Sequence, residues 1–154
     1  AATADDATIW NDTVPTSSVF SVGTSSLTNG NTEAMIAYVF AGVEGFSKFG
    51  SYIGNGAADG PFIHCGFKPA FIMTKRAADG TNNWIIQDTT RQTYNGVNAW
   101  LYPNLTNVEA AGTTNTDILS NGFKIKNTDG ELNAAVAYVY MAFAETPFKT
   151  ATAR

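Results

Sequence analysis

Histidine, cysteine and carboxylate side chains bound the chemistry a chain can perform, and the first two are scarce in this sequence. His64 is its one histidine and Cys65 its one cysteine. Adjacent residues on a strand point to opposite faces, so these two cannot act as a nucleophile and its base. Without a second His, a catalytic triad and a His-rich metal site are both excluded, and one Cys leaves no intrachain disulfide. Cys65, followed by Gly66, reads as a small buried hydrophobe, and His64 as a structural polar residue. Carboxylates are what remains. A glycosidase needs only two of them at a suitable separation, and Asp88, Glu109 and Asp117 are spread over the loop-rich part where such a pair could sit. No spacing ties them together, and the thirteen acidic residues of this acidic chain are expected chiefly as solvated turn residues. The sequence therefore predicts no catalytic, metal-ligating or cofactor-binding residue.

Binding is better represented than catalysis. Trp84, Tyr94, Trp100 and Tyr102 lie in one short stretch, interleaved with Asn82, Asn83, Asp88, Arg91, Asn95 and Asn98. Aromatic faces that stack on sugar rings, beside amides and carboxylates that bond to hydroxyls, make a glycan-binding surface. Trp100, Tyr102, Tyr94 and Asn98 are the candidate glycan or host contacts. Large aromatics also dominate the packing of small sheets. Trp84, within a strand-like run, is expected in the core, whereas Trp100 and Tyr102 fall in a loop where either role is open.

The elements that position these residues read as strands. Val19 to Val22, Pro69 to Lys75 and Trp84 to Asp88 are short, rich in β-branched and aromatic residues, and bounded by turn residues. Asp59-Gly60, Asp79-Gly80 and Asp129-Gly130 are expected to mark chain reversals, since Gly tolerates the positive φ of tight turns. The clearest predicted hairpin is Phe71 to Asp88, with Phe71, Met73 and Lys75 on one face of its first arm and Ile72, Thr74 and Arg76 on the other. Ser25 to Thr32, Gly54 to Gly60 and Tyr102 to Thr116 read as loops. Ala34 to Val43 and Ala134 to Ala144 are apolar on both faces, as strands buried between layers are.

Those two apolar runs belong to an apparent internal repeat. A shift of 103 residues pairs Phe20 with Phe123, Val22 with Ile125, Ile36 with Val139 and Phe40 with Phe143. A strand-loop-strand unit is thus expected twice, in equivalent places. Residues 1–44 read as the closing half of a first unit and 45–154 as a complete second one, the two packed as one antiparallel all-β sandwich.

Composition narrows the function. Only 14% of residues are charged, against roughly 25% in typical soluble domains, yet 44% are hydrophobic, so the chain folds rather than staying disordered. A net charge of −4 argues against a partner as anionic as nucleic acid. No apolar run reaches the roughly 18 residues of a membrane helix, so no membrane insertion is expected. Ala1 to Thr8 shows neither the basic start nor the apolar core of a signal peptide, and no initiator Met, so a processed product and the ordered part of a longer protein are both open readings.

Longer motifs carry a resemblance. Trp10-Asn11-Asp12-Thr13-Val14-Pro15, continuing through Phe20-Ser21-Val22-Gly23, is similar to a repeat domain of virion proteins in marine tailed bacteriophages. So are Gly45-Phe46-Ser47-Lys48-Phe49-Gly50-Ser51-Tyr52-Ile53-Gly54-Asn55-Gly56, Asp59-Gly60-Pro61-Phe62 and Gly66-Phe67-Lys68-Pro69-Ala70-Phe71-Ile72-Met73. Leu119-Ser120-Asn121-Gly122-Phe123-Lys124 and Ala142-Phe143-Ala144-Glu145-Thr146-Pro147-Phe148 extend the likeness over nearly the whole chain. It departs at Gly42, where Glu is usual, and at Cys65, where a small polar residue is. The resemblance implies a non-enzymatic virion protein, assembled in the bacterial host cytoplasm and placed at a tail fibre or particle surface. Its implied partners are copies of itself, with a trimer the leading expectation, other virion proteins and host surface glycan. A tail-associated glycan-degrading enzyme and a self-assembling surface or filament protein are the alternatives.

Overall fold

A computed structural model describes residues 7–77, 82–92 and 94–145, with only the backbone of 111–115. The chain divides into two compact units, Ala1–Phe40 and Ala41–Arg154.

The second unit is an antiparallel β-sandwich. One sheet has the order β1 (Ser47–Ile53), β8 (Ala137–Ala144), β3 (Pro69–Arg76), β4 (Trp84–Asp88); the other runs β2 (Phe62–His64), β7 (Gly122–Lys126), β6 (Ala110–Leu119), β5 (Val97–Trp100). Period-two alternation aims Tyr52, Ile72, Ile85, Tyr138, Tyr140 and Ala142 of the first sheet at Ile63, Val97, Ile118, Phe123 and Ile125 of the second, and all are buried. Tyr52 and Tyr138 stack at 4.9 Å and donate hydrogen bonds to the carbonyls of Leu132 and Gly130. Both rings thus fill the core without leaving a phenol unpaired. One edge of the sandwich is closed where Ile86 and Leu101 exchange backbone hydrogen bonds of 2.9 and 3.1 Å.

The Phe71 to Asp88 hairpin is present, with Phe71 opposite Asp88 and Lys75 opposite Trp84; the turn at Asp79-Gly80 lies outside the described residues. The other Asp-Gly pairs do not make hairpins. Asp59-Gly60 sits where the chain crosses from β1 of one sheet to β2 of the other. Asp129 instead caps a short helix, α3 (Gly130–Asn133), its carboxylate accepting from the Glu131 N–H at 2.8 Å. The expected loop from Tyr102 to Thr116 ends early, because the Thr-rich residues from Ala110 onward pair with β5 and β7. Ladder partners here override the turn-forming tendency of Asn and Gly.

The first unit holds two four-residue helices, α1 (Ala7–Trp10) and α2 (Ser26–Asn29), the second capped by Ser25. No strand occurs among residues 7–40, so Val19 to Val22 is not a strand and the expected equivalence of two central strands fails. Ala137–Ala144 is central, flanked by β1 and β3. Its expected counterpart, Ala34 to Val43, is exposed and lies outside any strand. Among the described residues it has no neighbouring strand beyond the single pair of Val43 with Ser47, and sequence alone cannot bury a strand that lacks neighbours.

Candidate functional site

Of the four proposed contact residues, Asn98 and Trp100 lie in β5 and Tyr94 and Tyr102 flank it. Tyr94 precedes it and is 88% exposed. Asn98, half-buried within it, is held by Gln92, whose Oε1 accepts from the Asn98 and Ala99 N–H groups and whose amide donates to Asn98 Oδ1. Trp100 is only 6% exposed and packs in the core, which overturns its reading as a surface contact. The register shift between Val97 and Ala99 breaks the alternation of this strand, so Ala99 and Trp100 are both buried. Tyr102 is half-buried, edge-on to Trp100 with ring centroids 6.5 Å apart. The span of β5, roughly 13 Å at the usual rise per residue, separates Tyr94 from Tyr102. They form no single surface.

A more ordered surface gathers around Tyr102. Asn104 Oδ1 accepts from the Trp84 N–H at 3.0 Å, and its amide donates to Asn83 Oδ1 at 3.0 Å. The Asn83 amide donates in turn to Glu131 Oε1 at 3.1 Å. This chain of bonds fastens the loop after β5 to the start of β4 and to α3. Burial, followed by the Glu131 and Asp129 carboxylates, raises the Tyr102 phenol above its ordinary range. Trp84, expected in the core, is half-buried here on the outward row that includes Lys75 and Val139. Asn83 and Trp84 stood out in the sequence, but Asn104 and Glu131 are brought in from 21 and 48 residues beyond Asn83. Only the fold joins them.

The three carboxylates weighed above as a glycosidase pair are engaged in ion pairs. Arg91 donates to Asp88 Oδ2 at 2.5 Å and bonds to Glu109 Oε2, and Lys126 lies 3.5 Å from Asp117. Burial alone would raise the Asp88 carboxyl, yet hydrogen bonds from the Arg91 N–H and guanidinium outweigh it and hold the group below its ordinary range. A glycosidase acid must keep its proton near neutral pH. Asp88 is tuned the other way.

His64 and Cys65 point apart, His64 exposed and Cys65 buried, beside an open cleft of about 500 Å³ that Glu44 and Lys48 also line. Burial pushes the Cys65 thiol up to about 11, with Lys48 opposing, so it remains a thiol at neutral pH. In the first unit, Trp10, Phe20, Val22, Leu27, Met35 and Phe40 line an apolar depression of about 630 Å³. No group of three potential metal ligands occurs among the described residues. No helix among them is long and apolar enough to cross a membrane.

With this geometry in view, comparison with known proteins gives one assignment. Residues 1–147 match a domain of unknown function, DUF7483. The chain belongs to that family. The match runs across both compact units. No curated protein and no solved structure matches the chain.

Proposed function

We propose that this member of the family is a structural module of a phage particle, at a tail fibre or other virion surface. It assembles with copies of itself and with other virion proteins, and presents loops to host surface glycan. The motifs from Trp10 to Gly23 and from Gly45 to Met73 support the virion setting by resemblance. The contact role rests on one observation, the bonded series Trp84–Asn104–Asn83–Glu131 beside Tyr102. A loop already ordered by its own hydrogen bonds loses little entropy on meeting a ligand. Amides and a carboxylate next to aromatic rings suit a polyhydroxylated one. Since Asp88 and Glu109 share Arg91, the glycan-degrading alternative has less support than binding.

Binding of the purified chain to host cells and to isolated surface polysaccharide tests this reading, with Tyr102→Ala and Asn83→Ala as the variants. Retention by the wild type, weakened at least several-fold in both variants while each still melts cooperatively, is the expected result. Release of reducing sugar would establish the enzyme instead, and equal retention of all three proteins would remove the contact surface.

A further inference from the structure

Lys48 is a charged residue on an apolar row. In β1 it stands opposite Ala142, as Tyr52 stands opposite Tyr138, and residues directly opposite share a face. Ala142 and Tyr138 are fully buried between the sheets, so the stem of Lys48 starts on the inner side of the sandwich and is half-buried there. Arg76, opposite Tyr138 on β3, starts on the same side, and its guanidinium reaches the Gly130 carbonyl. Arg91, Lys124 and Lys126 are each paired with a carboxylate. The Lys48 ammonium makes no ion pair or hydrogen bond among the described residues. A charge leaving an apolar layer is stable only against water or a counter-ion.

What Lys48 meets is the cleft of about 500 Å³, bounded by two turns of the sandwich unit. The first, Val43 to Phe46, is closed by the Phe46 N–H on the Val43 carbonyl at 3.0 Å. Ser47 pins it, its hydroxyl accepting from the Val43 N–H and donating to the Ala41 carbonyl, both at 3.1 Å. The second is Cys65-Gly66, whose N–H groups share the Asn121 carbonyl at 2.8 and 3.0 Å. Gly45 and Gly66 have φ of 75° and 85°, where a side chain would be strained, so the walls stay bare and a ligand can meet the backbone. Cys65, buried beside Gly66, lies near enough to Lys48 for that charge to oppose the rise of its thiol. Exposed His64 stands edge-on to Phe62 with ring centroids 6.4 Å apart, and Phe62 is itself exposed. Glu44, exposed on the first turn, is the carboxylate of the lining and makes no ion pair with Lys48.

We propose that this cleft binds an acidic sugar of host surface polysaccharide, with the Lys48 ammonium taking its anionic group. The ammonium selects the charge, the bare peptide walls at Gly45 and Gly66 suit hydroxyls, and the Phe62 and His64 rings offer a flat face to the sugar ring. A cleft of this size suits a ligand of one or two rings. Inward charges also discourage strand addition at sheet edges, but that role calls for no cleft beside them. The site is separate from the surface around Tyr102, since β1 and β2 begin the two sheet orders and Tyr102 follows β5, which ends one of them. The proposal rests on the glycan part of the proposed function and gives that glycan a charge.

Calorimetric titration of the full chain with oligogalacturonate, a carboxylated probe, and with a neutral dextran oligosaccharide decides it. The wild type should bind oligogalacturonate, less tightly as salt is raised, and bind dextran far more weakly. Lys48→Met, which keeps the stem and loses the charge, should weaken oligogalacturonate binding several-fold, whereas Lys48→Arg should retain most of it. In the wild type, the amide resonances of Gly45, Lys48 and Gly66 should shift during the titration, which reads the site without any variant. Failure of the wild type to bind, equal binding by Lys48→Met, or unmoved amides at those three residues would overturn the proposal. So would inorganic sulfate bound as tightly as oligogalacturonate, because the cleft would then select a free anion and no sugar. Retention on host polysaccharide that is lost in Tyr102→Ala but kept in Lys48→Met would also sink this site while leaving the Tyr102 surface standing. Loss in Lys48→Met and not in Tyr102→Ala would remove that surface and support this one.

Discussion

Thr116 donates its hydroxyl to Gln87 Oε1 at 3.1 Å across the two sheets, and both residues are almost completely buried. The Gln87 amide continues to the Val97 carbonyl at 3.0 Å, so a single side chain of β4 ties the first sheet to both β6 and β5 of the second. A buried amide is stabilising only while its partners are present, because an orphaned buried donor or acceptor costs about 1–3 kcal/mol. Gln87→Ala should therefore lower unfolding stability by about 2–4 kcal/mol through lost bonds and a cavity, and Thr116→Val by about 1–2 kcal/mol. In urea titrations the Gln87→Ala/Thr116→Val double variant should lose clearly less than the sum of the two single changes, since it removes both polar partners together. Strict additivity would mean the pair is not coupled.

Much of the sandwich is legible in the sequence, and what is not depends on neighbours. The hairpin from Phe71 to Asp88 follows from alternation and turn residues, which act over a few positions. Ala34 to Val43 and Ala134 to Ala144 look alike as strings, yet only the second meets β1 and β3, and burial belongs to that meeting. Trp100 was ambiguous because the register shift beside Ala99 has no local signature. For the same reason Glu131 and Asn104 were invisible as members of one surface. Each is an ordinary polar residue until the fold sets it beside Asn83.

Asn133 is fully buried, and its amide group spans three segments. Its nitrogen lies 2.6 Å from the Asn127 carbonyl and 2.7 Å from that of Ala57, while its oxygen accepts from the Asn55 N–H at 2.9 Å. Asn133→Leu, close in size but unable to bond, should cost about 2–4 kcal/mol by leaving several of these groups unpaired. Amide hydrogen exchange should then quicken first at Asn55. Unchanged protection there would show that the loop is held by other contacts.

Alkaline conditions should destabilise the fold, and the sign follows from burial. Tyr52 is held well above the ordinary phenol range by burial and then by Tyr138, and burial lifts the Cys65 thiol to about 11. Both groups keep their protons in the folded chain at a pH where the unfolded chain has lost them. Stability is thus fully present below the unfolded values, about 8.5 for Cys and 10 for Tyr, and falls as pH rises through them toward the folded ones. Melting temperature against pH should stay flat through neutrality and decline from about pH 9. Tyr52→Phe should melt lower at neutral pH, having lost its 2.9 Å bond to Leu132, but decline less steeply above pH 10. Cys65 should resist a thiol reagent at pH 8 in the native protein and react fully in urea.

The aromatic residues along β5 should separate by truncation, because exposure and packing make opposite demands on them. Trp100 lies among Val97, Phe123 and other core residues, so Trp100→Ala should cost about 3–5 kcal/mol. Tyr94, 88% exposed, should tolerate Ala within about 0.5 kcal/mol. Tyr102 is the informative case. Half-buried against Trp100 and near Glu131, it should lose about 1–2 kcal/mol as Ala and less as Phe, which keeps the edge-on ring contact but not the hydroxyl. If the surface around it meets glycan through hydrogen bonds, Tyr102→Phe should reduce retention on polysaccharide while barely moving the melting temperature. If the ring alone matters, Phe should bind like the wild type and only Ala should fail. Loss of binding that tracked stability across all of these variants would mean that Tyr102 supports the fold and touches no ligand.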